Sequence, residues 1–190
     1  MYKLLTVPVL AAALLLLGGC NTMKVEEISR PTPELKIEHF FDGKVYAWGL
    51  FEDRFGQIRR QFIVEIDGNW DGETLTLDEH FLYADGEKDQ RVWAIKKERP
   101  GNYSGSAADI LGKASGESTG NTLNWFYTLD LKVGDGKWRV NFDDYMILQP
   151  GGVLMNRAYV KKWGFTIGSV TLSFIRGDQL TKPPFEIAAP

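Results

Sequence analysis

The chain is poor in the residues on which most catalytic and metal chemistry rests: it has one cysteine and two histidines in 190 residues. A lone cysteine excludes an intrachain disulfide framework, and no His, Cys or carboxylate cluster falls at a metal-ligand spacing. His39 lies next to the N-terminal polar segment and His80 on the polar face of its strand. A Ser-His-Asp triad needs a positioned histidine, and no Gly-x-Ser-x-Gly turn occurs. No catalytic residue, metal or cofactor is therefore expected. Dense basic runs are missing as well. Arg59-Arg60, Lys96-Lys97 and Lys161-Lys162 are isolated pairs in a chain of formal charge −3, which excludes nucleic acid as a partner because phosphate neutralisation takes clustered Lys and Arg. The apolar run from Leu4 to Leu17 is too short to span a bilayer, which takes ~20 residues.

What that short run does instead is set by its neighbours. Lys3 precedes it, and Leu17-Gly18-Gly19-Cys20 follows. This is the pattern of a signal peptide, residues 1–19, ending in a lipobox, with cleavage just before Cys20 and acylation of its thiol. The expected partner is thus a membrane, held through an N-terminal lipid anchor. Asn21 is not the aspartate that retains many such lipoproteins in the inner membrane of Gram-negative bacteria, so the periplasmic face of the outer membrane is the expected location. Residues 20–34, with Glu26, Glu27, Pro31 and Pro33, read as a lipidated tether. Roughly 14 residues at ~3.3 Å each would let the domain hang up to ~45 Å from the lipid surface.

From residue 35 to 180 apolar segments alternate with Gly, Asp and Asn punctuation, as at Asp42-Gly43, Gly68-Asn69, Asp85-Gly86, Gly120-Asn121 and Gly151-Gly152. Apolar side chains recur at every second position: Ile58, Phe62, Val64 and Ile66; Leu75, Leu77, Phe81 and Tyr83; Leu123, Trp125, Tyr127, Leu129 and Leu131; Trp138, Val140, Phe142, Met146 and Leu148; Val170, Leu172 and Phe174. Period two over successive segments means antiparallel strands with one buried face. The expected fold is all-β, a meander of about eight to ten strands closing into a lipocalin-like (calycin-type) barrel with room for one small ligand. A short helix or bulged strand is expected between Asp109 and Gly116. The Pro-rich tail, residues 181–190, is expected to lie over the surface or an opening.

Several short motifs occur in order along this domain: Phe41-Asp42-Gly43-Lys44-Val45-Tyr46-Ala47-Trp48-Gly49-Leu50-Phe51, then Trp70-Asp71-Gly72, Tyr83-Ala84-Asp85-Gly86, Arg91-Val92-Trp93, Asp143-Asp144-Tyr145-Met146, Asn156-Arg157 and Lys162-Trp163-Gly164-Phe165. With these, the chain resembles the uncharacterised bacterial lipoproteins of the DUF3833 family over nearly its whole mature length. Ala47-Trp48-Gly49 stands where a more glycine-rich turn would be expected. The resemblance implies a lipoprotein without assigned active residues, in a family often encoded beside genes for fatty-acid modification.

Charged residues that interrupt the apolar faces are the most informative positions. By parity Arg60, Glu79, Arg91 and Asp144 point into the barrel with Trp93 and Trp125. Unpaired buried charge costs several kcal/mol. Such a group of residues therefore reads either as the polar centre of a pocket for an anionic amphiphile such as a fatty acid, or as two structural ion pairs, Arg60 with Glu79 and Arg91 with Asp144. Any of the six tryptophans could line a cavity, and Arg157, Tyr159 and Lys161 could line a mouth, although a solvated strand face suits that trio better. Three functions follow: a binder or carrier of a fatty acid or related amphiphile, a solid-cored structural or interaction protein of the envelope, and a lyase or isomerase using Glu79 or Asp144 inside the barrel.

Overall fold

Alternation of apolar and polar residues makes each segment a strand with one wet and one dry face, and the dry faces can be buried together only if the sheet curls onto itself. The computed structural model describes residues 23–133 and 136–188, and there the curling is complete. Strands β1 (Gly43–Asp53), β2 (Ile58–Trp70), β3 (Thr74–Tyr83), β4 (Lys88–Arg99), β5 (Asn102–Ser106), β6 (Ala114–Thr119), β7 (Thr122–Val133), β8 (Gly136–Leu148), β9 (Leu154–Lys162) and β10 (Phe165–Arg176) follow in order. Each pairs with the next, all antiparallel, and β10 returns to β1 to close the barrel. The expected all-β meander barrel is thus the fold, with ten strands. The expected short helix or bulged strand from Asp109 to Gly116 resolves into a loop carrying a single bridge, Ile110 to Leu129, followed by β6.

The wall is thin where β5 and β6 pass, and glycine is the reason. Gly105 and Gly116 face inward, and a Cβ at either would sit 2.6 Å from the Trp125 ring. Their missing side chains let the indole lie flat against the inner wall.

One end of the barrel is plugged. Two single-turn helices, α1 (Val25–Ile28) and α2 (Ile37–Phe40), lie in the N-terminal segment. Leu35, Ile37, Phe40 and Phe41 are buried in the barrel core. Burial pushes the Glu38 carboxyl up, but hydrogen bonds from Lys97 and Tyr103 outweigh it and hold it below the ordinary value. These bonds latch α2 to β4 and β5.

Docking begins well before the plug. Val25 is buried, the Arg30 and Asn121 backbones are bonded at 2.7 Å and 2.8 Å through the Asn121 side chain and the Arg30 carbonyl, and the Tyr145 hydroxyl donates to the Met23 carbonyl at 2.8 Å. This corrects the free tether expected over residues 20–34. Its polar composition conceals an edge that bonds through backbone atoms, and the chain is docked from Met23 onward.

The tail corrects a second alternative. Phe185 packs edge-on against Tyr46 at 5.2 Å and Trp48 at 5.6 Å, and the Ile187 N–H donates to Glu65. It therefore covers the outer wall of β1 and β2 rather than an opening. Among the described residues the core cluster runs from Leu35 to Phe174.

The plug makes one close approach that only glycine permits. A Cβ on Gly68 would stand 1.6 Å from the Phe41 carbonyl oxygen. Gly68→Ala is expected to push α2 off the barrel end and cost about 1–3 kcal/mol of stability, the range of core overpacking. Thermal unfolding followed by circular dichroism checks this, with Gly136→Ala, whose Cβ would meet nothing closer than 3.8 Å, as the near-neutral comparison.

Candidate functional site

Eight strands leave a barrel just wide enough to fill with side chains or hold one small ligand, and the diameter grows with strand number. Ten strands here enclose a cavity of about 540 Å³, within the ordinary range for ligand sites. Its walls are mostly apolar, with Phe62, Leu77, Ile95, Leu123, Leu129 and Leu172 among them, and Ile37 and Phe41 of the plug form its floor. At the other end it reaches Arg59, Lys132, Val133 and Trp138, all exposed. That end is the mouth.

Of the six tryptophans, Trp93, Trp125 and Trp138 line the cavity. Trp93 meets Trp125 edge-on at 5.6 Å and Tyr127 at 5.4 Å, and Tyr127 stacks on Phe142 at 5.0 Å. These contacts fix the rings in place. Trp70 packs against the core without lining the cavity, while Trp48 and Trp163 are exposed.

Arg60, Glu79, Arg91 and Asp144 all line the cavity. Their pairing differs from either expected ion pair. Arg60 binds Glu87 at 2.8 Å and Asp85 at 3.2 Å, with its guanidinium 3.6 Å over the Tyr83 ring. Arg91 takes Asp109 at 2.7 Å, in a bidentate grip. The partners come from the β3–β4 turn and the β5–β6 loop, which period-two parity does not reach. Glu79 stands opposite Arg91 across the β3–β4 ladder, but neither it nor Asp144 forms an ion pair among the described residues.

Lacking a cation of their own, the two acids respond to burial. Desolvation, only partly offset by the Arg91 charge, pushes the Glu79 carboxyl up to about 7. Asp144 is pushed up to about 8 by desolvation, against an Asn156 hydrogen bond and the Arg91 charge. Glu79 keeps some accessible surface, which is cavity surface, whereas Asp144 is 5% exposed. Asp144 Oδ1 and Asn156 Oδ1 are both buried acceptors without a partner. A proton on Asp144 converts one of those acceptors into a donor, which agrees with its raised pKa. Burial also raises the Tyr127 phenol well above its ordinary value.

Below neutral pH the deep interior therefore holds one guanidinium–carboxylate pair, Arg91 with Asp109, and two protonated acids, while Arg59, Arg60, Asp89 and Lys132 line the cavity toward its mouth. Parity pointed to the four charged residues and to Tyr127. It missed Asn156, whose signal was its place between Leu154 and Ala158 on the inner face of β9, and Asp109, a loop residue without periodic signal. Arg157, Tyr159 and Lys161 lie on the outer wall, where Arg157 pairs with Glu52 at 2.9 Å and Lys161 with Asp143 at 2.7 Å. Among the described residues no group of His, Cys, Asp and Glu could hold a metal. Cys20 falls outside the described residues.

Fold and site together define a one-mouthed ten-stranded β-barrel with an apolar cavity and a neutral polar centre. The chain belongs to the DUF3833 family, described as a protein of unknown function, whose model matches residues 14–176. A search of curated proteins finds no match to the chain.

The raised acids make stability fall with rising pH. In the unfolded chain both ionise near their ordinary values of 4.5 and 3.8, while the barrel keeps the protons to about 7 and about 8. The contribution of the neutral interior is complete below the unfolded values and is lost as pH rises through the folded ones, at up to about 1.4 kcal/mol per pH unit and group. Urea unfolding is expected to lose stability between about pH 5 and pH 8. The double variant Glu79→Gln, Asp144→Asn should flatten that slope; an unchanged slope would contradict a neutral interior.

Proposed function

We propose that the protein is a lipid-anchored, non-enzymatic binder or carrier of a fatty acid or related amphiphile, working at the periplasmic face of the outer membrane. The observation that carries this reading is the apolar cavity of about 540 Å³ with a single charged mouth. Its polarity favours one orientation. Arg91 is already gripped by Asp109 inside, so a ligand carboxylate has little to gain there. Arg59 and Arg60 at the mouth are paired only with acids of the hairpin turns, and exposed pairs are worth ~0–1 kcal/mol and exchange readily. The chain of the amphiphile enters the barrel and its head stays with these arginines. The anchor rests on the pattern ending at Cys20, which the family match takes in.

The two raised acids favour a second reading, proton transfer on a bound ligand, since a carboxyl titrating near neutrality suits general acid–base work.

Native mass spectrometry of residues 21–190 purified from cells is expected to find a co-purifying amphiphile. Ala158→Trp, which replaces a methyl in the cavity wall with an indole, should expel it. Arg60→Met should weaken oleate binding by about tenfold, the loss of one charge-assisted hydrogen bond, measured by displacement of a fluorescent fatty acid. Absence of any bound lipid together with no displacement would sink the binder. A ligand recovered chemically changed by the wild type and unchanged by Glu79→Gln would instead favour the acid–base reading. Separately, Cys20→Ser is expected to abolish incorporation of labelled palmitate; undiminished labelling would count against the anchor.

A further inference from the structure

The mouth of the barrel carries a feature that ligand binding does not use. Three hairpins adjacent around the ring, β1–β2, β9–β10 and β7–β8, hold large apolar side chains out in solvent. Phe55 is 71% exposed, Trp163 85% and Phe165 75%, and Ile58, Val133 and Trp138 are exposed beside them. The hairpins end at comparable heights: Asp53 faces Gly168 across β1 and β10, so Phe55 and Phe165 lie two and three residues beyond that pairing on neighbouring tips. Trp163 also sits at φ 53, in the left-handed region that a bulky side chain adopts only at a cost. Asn or Gly would form this two-residue turn without strain. Stability alone does not account for a strained, exposed tryptophan.

Cations are interleaved with these rings. Arg54 lies 4.7 Å over Phe55, and Lys162 lies 3.6 Å from the Trp138 ring and 4.6 Å from Trp163. Among the described residues Arg54 and Lys162 form no ion pair. Of the acids at this end, Asp53 at the β1–β2 hairpin is taken by Arg59, while Asp85, Glu87 and Asp109 sit on the opposite arc and are taken by Arg60 and Arg91. Asp89 lies at the mouth end of β4 on that same arc, and Asp135 of the β7–β8 turn falls outside the described residues. Projecting aromatics with lysine and arginine beside them match the interface of a bilayer, where rings sit at headgroup depth and cations meet anionic lipids.

We propose that the crescent formed by these three hairpins docks the barrel, mouth first, on a bilayer surface carrying anionic headgroups. Val133 and Trp138 line the cavity as well as the crescent, so docking sets the mouth against the lipid and gives an amphiphile a path that avoids bulk water. The docking does not depend on the ligand reading, because a barrel that held nothing would still seat on the same surface.

The test uses residues 21–190, which hold the core cluster of the described residues and lack Cys20, with vesicles of phosphatidylcholine alone or mixed with phosphatidylglycerol. Wild type is expected to co-sediment with the mixed vesicles, less with phosphatidylcholine alone, and less again at high salt. Phe55→Ser, Trp163→Ser, Phe165→Ser combined should weaken binding about tenfold or more, and Arg54→Glu, Lys162→Glu should remove the preference for phosphatidylglycerol. Both variants should bind fluorescent fatty acid in solution as wild type does, which separates this inference from the ligand reading. No binding to either vesicle, or binding that the variants leave unchanged, overturns it. So does a wild-type domain that self-associates or crosslinks to a protein through the crescent while ignoring vesicles.

Discussion

The ladder between β1 and β10 is what turns a meander into a barrel. It runs from Val45 opposite Arg176 to Asp53 opposite Gly168 and satisfies the backbone groups of the first and last strands together. Without it both strands would be edges, open to water and to pairing with other chains. The interior would then be a wet concave sheet, and Glu79 and Asp144 would titrate as ordinary acids. Closure is therefore the source of the cavity, of its dryness and of the raised pKa values at once.

Closure also leaves two ends, and the chain treats them differently. At one end Leu35 to Phe41 enters the ring, held by Gly68, Gly120 and the Glu38 bonds. At the other the hairpins simply turn, and nothing among the described residues crosses the opening. The asymmetry gives the barrel a floor and a mouth. It also separates its chemistry, with apolar wall and neutral acids inside and arginine, lysine and exposed aromatic rings outside.

Much of this was legible because a strand writes its burial pattern into every second residue. Parity placed Arg60, Glu79, Arg91, Asp144, Trp93 and Trp125 inside, and each lines the cavity. Parity is silent about loops, so it offered Glu79 and Asp144 as partners for arginines that in fact bind Asp85, Glu87 and Asp109. The plug escaped for a different reason. Its helices are single turns, too short to show a period, and what fixes the chain between Arg30 and Leu35 is bonding to the Gly120-Asn121 turn through the backbone and one amide side chain, which composition does not record. The bilayer-facing crescent escaped as well. Trp163 read as one of six tryptophans that could line a cavity, and Phe165 only as part of a short motif, until their exposure set them apart.

The interior acids pose a question that stability cannot answer. At Asp144 an apolar residue of similar volume would leave no orphaned oxygen, and replacing buried polar groups by packed apolar ones is often neutral or stabilising. Each raised carboxyl costs the fold stability as pH rises toward neutrality. A protonated carboxyl beside an apolar wall, however, both donates and accepts a hydrogen bond without carrying charge. Glu79, facing Arg91 on the cavity surface, therefore gives the cavity a point that can hold one polar atom of an otherwise apolar molecule. Asp109 shares the Arg91 charge, and what reaches Glu79 offsets only part of its desolvation. The cavity thus sorts its own polarity by depth: one neutral polar point at mid-depth among apolar walls, and full charge at the mouth, where Arg59 and Arg60 lie beside solvent.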